Sequence, residues 1–340
     1  MKMQKTSLLM FLFLILLFAC SEDELTPGTP TSSGNDLMTK ATASVSGLTR
    51  FKVADLSIPS GGLPDGKQFY KGGKLRASTA YNPYGITKVQ KNGVDRVRFY
   101  INPTTSTTYL TKTDYPYHYR SEFSRWPWWI NHPLGTEEWL GFSYIFPTAS
   151  EGFTQNHTPV SIYQNHAGSR AGQTSNPPAL QIEIAAPKQI NSSDPWRGTP
   201  KGGEIMLINN IRKTRYVVPG VRVVAGARID IVLQIIYGLE SKGLWNVWVN
   251  GKLVTIPVGN VGSTVWPAKT SADLVVGGNS KIGLYHHRLR YKSEVDLNAS
   301  KGHKKMEVFM TDWNDVIRTP KDPDYKSQNA YNAVSTASYP

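Results

Sequence analysis

Asn250-Gly251 stands between two apolar stretches, 245–249 and 253–258, and that arrangement leaves the chain few choices. Both residue types accept the positive φ of a two-residue turn joining antiparallel strands, so the segment predicts a β-hairpin. Asn92-Gly93 repeats the signal between 86–89 and 94–100. Residues 229–236 alternate around Asp230 and Gln234, while 139–146 and 306–310 read as further strands, with Pro and Gly recurring between them. Helical periodicity is scarce. No repeat of fixed period is present, which argues against a propeller or a solenoid. The expectation is an all-β chain, a two-sheet antiparallel β-jelly roll of the concanavalin-like sandwich type.

The ends read differently from this centre. Residues 1–19 carry Lys2 and Lys5 ahead of an apolar run too short for a membrane span, the layout of a signal peptide. Cys20 follows and is the sole cysteine, so no disulfide can form within the chain. Leu17-Phe18-Ala19-Cys20 resembles a bacterial lipobox, which implies cleavage before Cys20 and its lipidation. Ser21-Glu22-Asp23-Glu24 resembles the acidic export tag of Bacteroidetes surface lipoproteins, implying an outer-membrane lipoprotein exposed at the cell surface. Residues 20–46 have the composition of a flexible tether. The domain is expected over 47–320, followed by a polar tail, 321–340, expected to fray.

The chain has 38 Lys plus Arg against 25 Asp plus Glu; removing Lys2 and Lys5 leaves 36 − 25, or +11. Such an excess attracts polyanions. A surface lipoprotein meets anionic polysaccharide rather than nucleic acid, so Arg125-Trp126-Pro127-Trp128-Trp129 reads as a place for sugar rings to stack. Hydrolysis by paired carboxylates is disfavoured: the Glu-x-Asp-x-x-Glu strand of many jelly-roll glucanases is absent, Glu294-Val295-Asp296 being followed by Ala299 at the last place. No nucleophile elbow, phosphate loop or His-Glu-x-x-His helix occurs. Seven scattered histidines give no metal signature, and adjacent His286 and His287 would face opposite ways on a strand. The sequence calls for no cofactor and leaves open a structural calcium ion.

Three stretches carry the chemistry. Along a strand at 281–287, Lys281, Gly283, Tyr285 and His287 share one face, and Gly283 leaves room for a close approach to the sheet. Likewise Gln164 and His166 share a face, as do Arg120 and Glu122. Arg120-Ser121-Glu122, Gln164-Asn165-His166 and Lys281-x-Gly283-x-Tyr285, taken in order, resemble the jelly-roll polysaccharide lyases that include alginate, glucuronan and ulvan lyases. The segments 139–147 and 245–252 look like strands of the same family, and the likeness spans about 115–312. Two departures set it nearer the glucuronan and ulvan branch. Alginate lyases typically place a second arginine where Ser124 stands, and follow the tyrosine with Asn-Gln where this chain has His286-His287.

The resemblance implies β-elimination from a 4-linked uronate: C5–H is removed, charge moves onto the carboxylate and the C4 oxygen leaves. That carboxylate must be neutralised, a task the resemblance assigns to Arg120 and Gln164, assisted by Lys281 and Asn165. Tyr285 and His166 become the base and acid, in an order set by the uronate's C5 configuration. His287 would line the groove with them, and Glu122 would pair structurally with an arginine. The substrate expected is an anionic polysaccharide or oligosaccharide of the ulvan type. Two alternatives stand beside it. An oligosaccharide dehydratase would use the same groups with one end of the groove walled by 148–160 or 187–203; a glycan-capture lipoprotein would bind without catalysis.

Overall fold

The computed structural model describes residues 45–79, 84–105, 119–125, 132–155, 157–169, 177–187, 196–197, 200–267 and 275–338. The signal peptide, Cys20 and nearly all of the tether lie outside these residues, as do residues 126–129 of the aromatic stretch.

Among the described residues seventeen strands occur in chain order: β1 (Leu48–Phe51), β2 (Leu75–Ser78), β3 (Ile86–Lys91), β4 (Val94–Ile101), β5 (Tyr119–Arg125), β6 (Glu137–Ile145), β7 (Val160–Ser169), β8 (Leu180–Ile184), β9 (Trp196–Arg197), β10 (Glu204–Asn209), β11 (Thr214–Arg222), β12 (Arg228–Ile236), β13 (Leu244–Val249), β14 (Lys252–Leu253), β15 (Val275–His286), β16 (Met306–Met310) and β17 (Trp313–Arg318). Two α-helices follow the catalytic-looking strand, α1 (Lys292–Ser300) and α2 (Asn329–Val334). One sheet runs β14-β13-β12-β6-β16-β4-β3, with β17 also beside β6 and carrying β1; the second runs β2-β5-β15-β7-β8-β10-β11-β9. All pairings but the parallel β9–β11 contact are antiparallel, which gives the expected jelly-roll sandwich.

Both Asn-Gly turns form as their chemistry requires, with φ of 54° and 76° at Asn92-Gly93 and 50° and 78° at Asn250-Gly251. The second hairpin is shorter than its apolar run suggests, because β14 ends at Leu253. Pro257 has no N–H for a ladder, and beyond Leu253 the Asn260 side chain takes over, accepting from Ile256 N and donating to Val254 O.

Alternate residues of each sheet meet in the middle. Phe123 of β5 packs on Phe69, Phe99 and Trp313 with ring centroids 4.5, 4.9 and 5.5 Å away, and burying each such ring contributes about 1.5–3 kcal/mol. The tail does not fray. Its α2 sets Ala330 and Val334 against Trp139 and Val316 on the outer side of the first sheet, where all four are fully buried. The same segment covers an ion pair between Arg318 and Glu137. Two small apolar contacts and a covered charge pair hold this segment down, which its polar composition conceals.

Candidate active site

Hydrogen-bonding register places the three sequence stretches side by side, since β15 is flanked by β5 on one edge and β7 on the other. Residues paired across antiparallel strands share a face. Lys281 is opposite Ser124 on β5 and Gln164 on β7; Gly283 is opposite Glu122; Tyr285 is opposite Arg120; and Asn279 is opposite His166. Arg120, Glu122, Gln164, His166, Lys281 and Tyr285 therefore occupy the face of the second sheet turned away from the core. His166 and Tyr285 bracket the Lys281–Gln164 row from opposite ends.

Side-chain contacts tie these rows together. Gln164 donates through Nε2 to Glu122 Oε1, and its Oε1 lies 3.2 Å from His166 Nε2. An amide oxygen only accepts, so the contact makes His166 Nε2 a protonated, donating nitrogen. Glu122 thus sets the amide, and the amide holds the imidazole Nε2–H. Burial pushes the Glu122 carboxyl above its ordinary range, opposed by Lys281, Arg120 and the Gln164 hydrogen bond. The Arg120 guanidinium carbon sits 5.2 Å from the centre of the Tyr285 ring, and the centre of the His287 ring lies 6.1 Å from that of Tyr285.

Burial pushes Lys281 down to about 8; Glu122 opposes the shift, while Arg120 and Arg76 add to it. The sign follows directly: below pH 8 Lys281 is an ammonium able to face an acidic sugar, and as pH rises through 8 that charge is lost. KM for a uronate polymer is therefore expected to rise above pH 8, and Lys281→Arg, whose guanidinium stays charged, should remove that limb from a KM–pH profile. An unchanged limb in the variant would take Lys281 out of substrate binding.

Tyr285 is aimed by a defect in its own strand. Between Ile282 and Tyr285 the β15–β7 register slips by one residue, and β7 slips against β8 between Ser161 and Tyr163. Such bulges redirect side chains near sites. Tyr144 of the opposite sheet clamps both, its hydroxyl donating to Ile162 O at 2.8 Å and accepting from Gly283 N at 2.6 Å. Burial holds the Tyr144 phenol well above its usual range, so it keeps the proton it donates. Gly283 has φ of 132°, and a Cβ there would lie 2.1 Å from Ser121 O. What approaches this glycine is the neighbouring strand β5, not a ligand. Tyr144→Phe strands an N–H and a carbonyl in the interior; it is expected to cost about 1–3 kcal/mol in denaturant unfolding and to lower kcat through misplacement of Tyr285. Unchanged stability would show that the clamp carries no weight.

One sequence expectation is corrected here. Asn165 does not face the site: beyond the β7 bulge Tyr163, Asn165 and Ala167 point to the core, and Asn165 is fully buried, donating to Tyr237 Oη at 2.9 Å and Ser280 Oγ at 3.2 Å. Ser280 and Tyr237 both donate in turn to Glu138, so Asn165 belongs to a buried polar layer beneath the site. The segment 148–160 reaches both sheets: Glu151 binds Lys91 of β3 and its carbonyl accepts from Lys305, while Thr158 Oγ1 lies 2.6 Å from His286 Nε2 at the end of β15. Residues 188–195 and 198–199 of the other suggested wall lie outside the described residues.

The two adjacent histidines separate as alternation requires. His286 is fully buried, 2.6 Å from Thr158 Oγ1, with Nδ1 accepting from Arg288 N and Leu289 N, whereas His287 stays half-buried near Tyr285. Among the described residues no group of three or more His, Cys, Asp or Glu is placed to hold a metal ion. The segment holding Glu294 and Asp296 is helical, so it could not have supplied the glucanase strand. Sequence reasoning missed Arg76 and Tyr144, whose strands β2 and β6 come to the site only through the fold.

A polar row of guanidinium, amide, imidazole, ammonium and phenol on the open face of a jelly roll defines a class of β-sandwich enzyme that handles acidic sugars. The polysaccharide lyase family model matches residues 70–313, and the chain belongs to that family. It is accordingly a carbon–oxygen lyase acting on uronic-acid polysaccharides by β-elimination. Solved structures similar to it include an endo-β-1,4-glucuronan lyase from the fungus Trichoderma reesei, at 17% identity and a TM-score of 0.41 over 69% of this chain and 86% of that one. A family 7 alginate lyase, A1-II′, in complex with substrate is similar at 11% identity and a TM-score of 0.40, over 70% and 82% of the two chains. No curated protein matches the chain.

Proposed function

We propose that this chain is a lipid-anchored, surface-exposed lyase that cleaves an ulvan- or glucuronan-type polysaccharide at the 4-linked uronate. The observation that carries this reading is the register that lines up Arg120, Gln164 with His166, and Lys281 with Tyr285 on one face of three adjacent strands. Arg120 and Gln164 take the uronate carboxylate, with Lys281 supplying further charge. Preorganised donors of this kind matter because removing C5–H puts a second negative charge on a group that already has one. Tyr285 and His166, at the two ends of the row, serve as the proton-transfer groups: one removes the C5 proton and a proton is delivered to the departing C4 oxygen, leaving a C4–C5 double bond. Glu122 touches both Gln164 and the field of the cations, and its role is to orient them.

The substrate preference is read from the Ser124 and His286-His287 departures, and the anchoring from the Leu17–Cys20 lipobox pattern. Incubation with ulvan, glucuronan and alginate, with unsaturated-uronate absorbance and product sizing, tests the reading. Chain shortening with new unsaturation on ulvan or glucuronan supports it. Unsaturation without shortening would replace it with the dehydratase, and binding with neither would replace it with glycan capture.

A further inference from the structure

Resting on the lyase reading of this face, we infer that Thr158 is a positioning residue of the active site: by holding His286 it fixes the turn that sets the His287 imidazole beside Tyr285. Thr158 lies on the lead-in to β7, two residues before Val160. It therefore joins the strand carrying Gln164 and His166 to the end of the strand carrying Lys281 and Tyr285.

The hydrogen bonds leave each group one assignment. His286 Nδ1 accepts from Arg288 N and from Leu289 N, both at 3.2 Å, so that nitrogen carries no proton and the ring is neutral with its hydrogen on Nε2. The Nε2–H then donates to Thr158 Oγ1 at 2.6 Å. Thr158 Oγ1 accepts a second hydrogen bond from Asn298 Nδ2 of α1 at 3.2 Å, and the same amide donates to Glu294 O, one helical turn earlier, at 3.0 Å. His286, Thr158 and Asn298 are all buried. Burial holds the His286 imidazole well below its usual range, and His287 and Arg288 push the same way. One threonine hydroxyl thus ties together the start of β7, the end of β15 and α1.

What this network shapes is the turn that leaves β15. Residues His287–Arg290 form a single 3₁₀ turn capped by the His286 side chain. Its other fastenings are Leu289, buried in the core, and Arg288, whose guanidinium binds Glu294 at 2.9 Å. His287 heads the turn, its ring centre 6.1 Å from that of Tyr285, and the His286 cap is the fastening next to it in the chain. Without the Thr158 acceptor a buried Nε2–H has no partner, which favours moving the hydrogen to Nδ1. A protonated Nδ1 cannot accept from Arg288 N and Leu289 N, so the cap is lost and His287 shifts. Misplacement of about 1 Å at a site costs on the order of 100-fold in rate.

The test is a double-mutant cycle on the full chain, with kcat and KM measured on ulvan and glucuronan. Thr158→Val keeps the shape and removes the acceptor; it is expected to lower kcat/KM about 10- to 100-fold, and Thr158→Ser, which keeps a hydroxyl, to restore most of the loss. Because Thr158 acts through His287, His287→Ala should produce a loss of similar size, and the double variant no more than the larger single loss. Losses that multiply in the double variant overturn the inference, as does a fully active His287→Ala or Thr158→Val. Nitrogen NMR of the parent, with its histidines assigned, needs no variant and should show His286 neutral with its hydrogen on Nε2. A proton on Nδ1 overturns the inference whatever Thr158→Val does to Tm. If the parent forms no unsaturated uronate from any polymer, the lyase reading falls and takes this inference with it, whereas an active parent with multiplying losses removes Thr158 alone.

Discussion

Tyr285→Phe is expected to abolish turnover while leaving the fold and the binding of polymer intact. The ring of Tyr285 is already packed, 8% exposed, with the Arg120 guanidinium 5.2 Å from its centre, and phenylalanine keeps every one of those contacts. Only the hydroxyl goes. A positioned proton-transfer group typically contributes about 100- to 10,000-fold, so a loss of at least ~1,000-fold in kcat is the expected result, with Tm within a degree or two of the parent. The decisive comparison is with His166→Asn, which removes the other end of the row. If Tyr285→Phe keeps near-normal kcat, the phenol is no part of the chemistry and the row has been read wrongly.

Arg120→Ala should be nearly as damaging, for a different reason. Arg120 shares its register position with Tyr285 and contributes to the field around Glu122, so in the proposed mechanism its loss removes a charge on which the developing dianion depends. Removing one such donor costs about 100- to 1,000-fold in kcat. Arg120→Lys is expected to recover little, because an ammonium cannot offer the planar two-point grip of a guanidinium. The split between constants is informative. A loss in kcat with KM little changed places the arginine's effect in the transition state, whereas a rise in KM alone would reduce it to a ground-state contact.

Much of this arrangement could be read from the residues because period-2 alternation is a local rule. It puts Gln164 with His166, Lys281 with Tyr285, and Arg120 with Glu122, and the Asn-Gly turns announce their own backbone conformation. The same rule turns Asn165 to the core, and its assignment to substrate failed because the resemblance was carried over without regard to the pleat. Gly283 was legible as a special position, yet its cause was not: the constraint is Ser121 O of a strand some 160 positions earlier in the chain, known only once β5 and β15 pair. Arg76 lies on a four-residue strand with no turn signal of its own, and only the order β2-β5-β15-β7 brings it into line with Lys281. Tyr144 reads as one more aromatic in an apolar run; its function as a clamp depends on two register slips in the facing sheet. The tail misled because its anchoring rests on two small side chains and a covered ion pair rather than on an apolar stretch.

The stepwise dependence of the site is also physical. Glu122, almost wholly buried, can stay in place only because Lys281, Arg120 and the Gln164 amide surround it. In return it fixes the amide that holds the His166 Nε2–H. Each strand supplies one part, and no strand holds a working set alone.

The most direct measurement is mass spectrometry of the fragments released from glucuronan or ulvan in water enriched in heavy oxygen. Elimination cuts the chain without consuming water, so the account predicts fragments that carry a C4–C5 double bond and no heavy oxygen. Saturated fragments that have each gained the elements of water, with heavy oxygen at the new end, would show hydrolysis instead and contradict it.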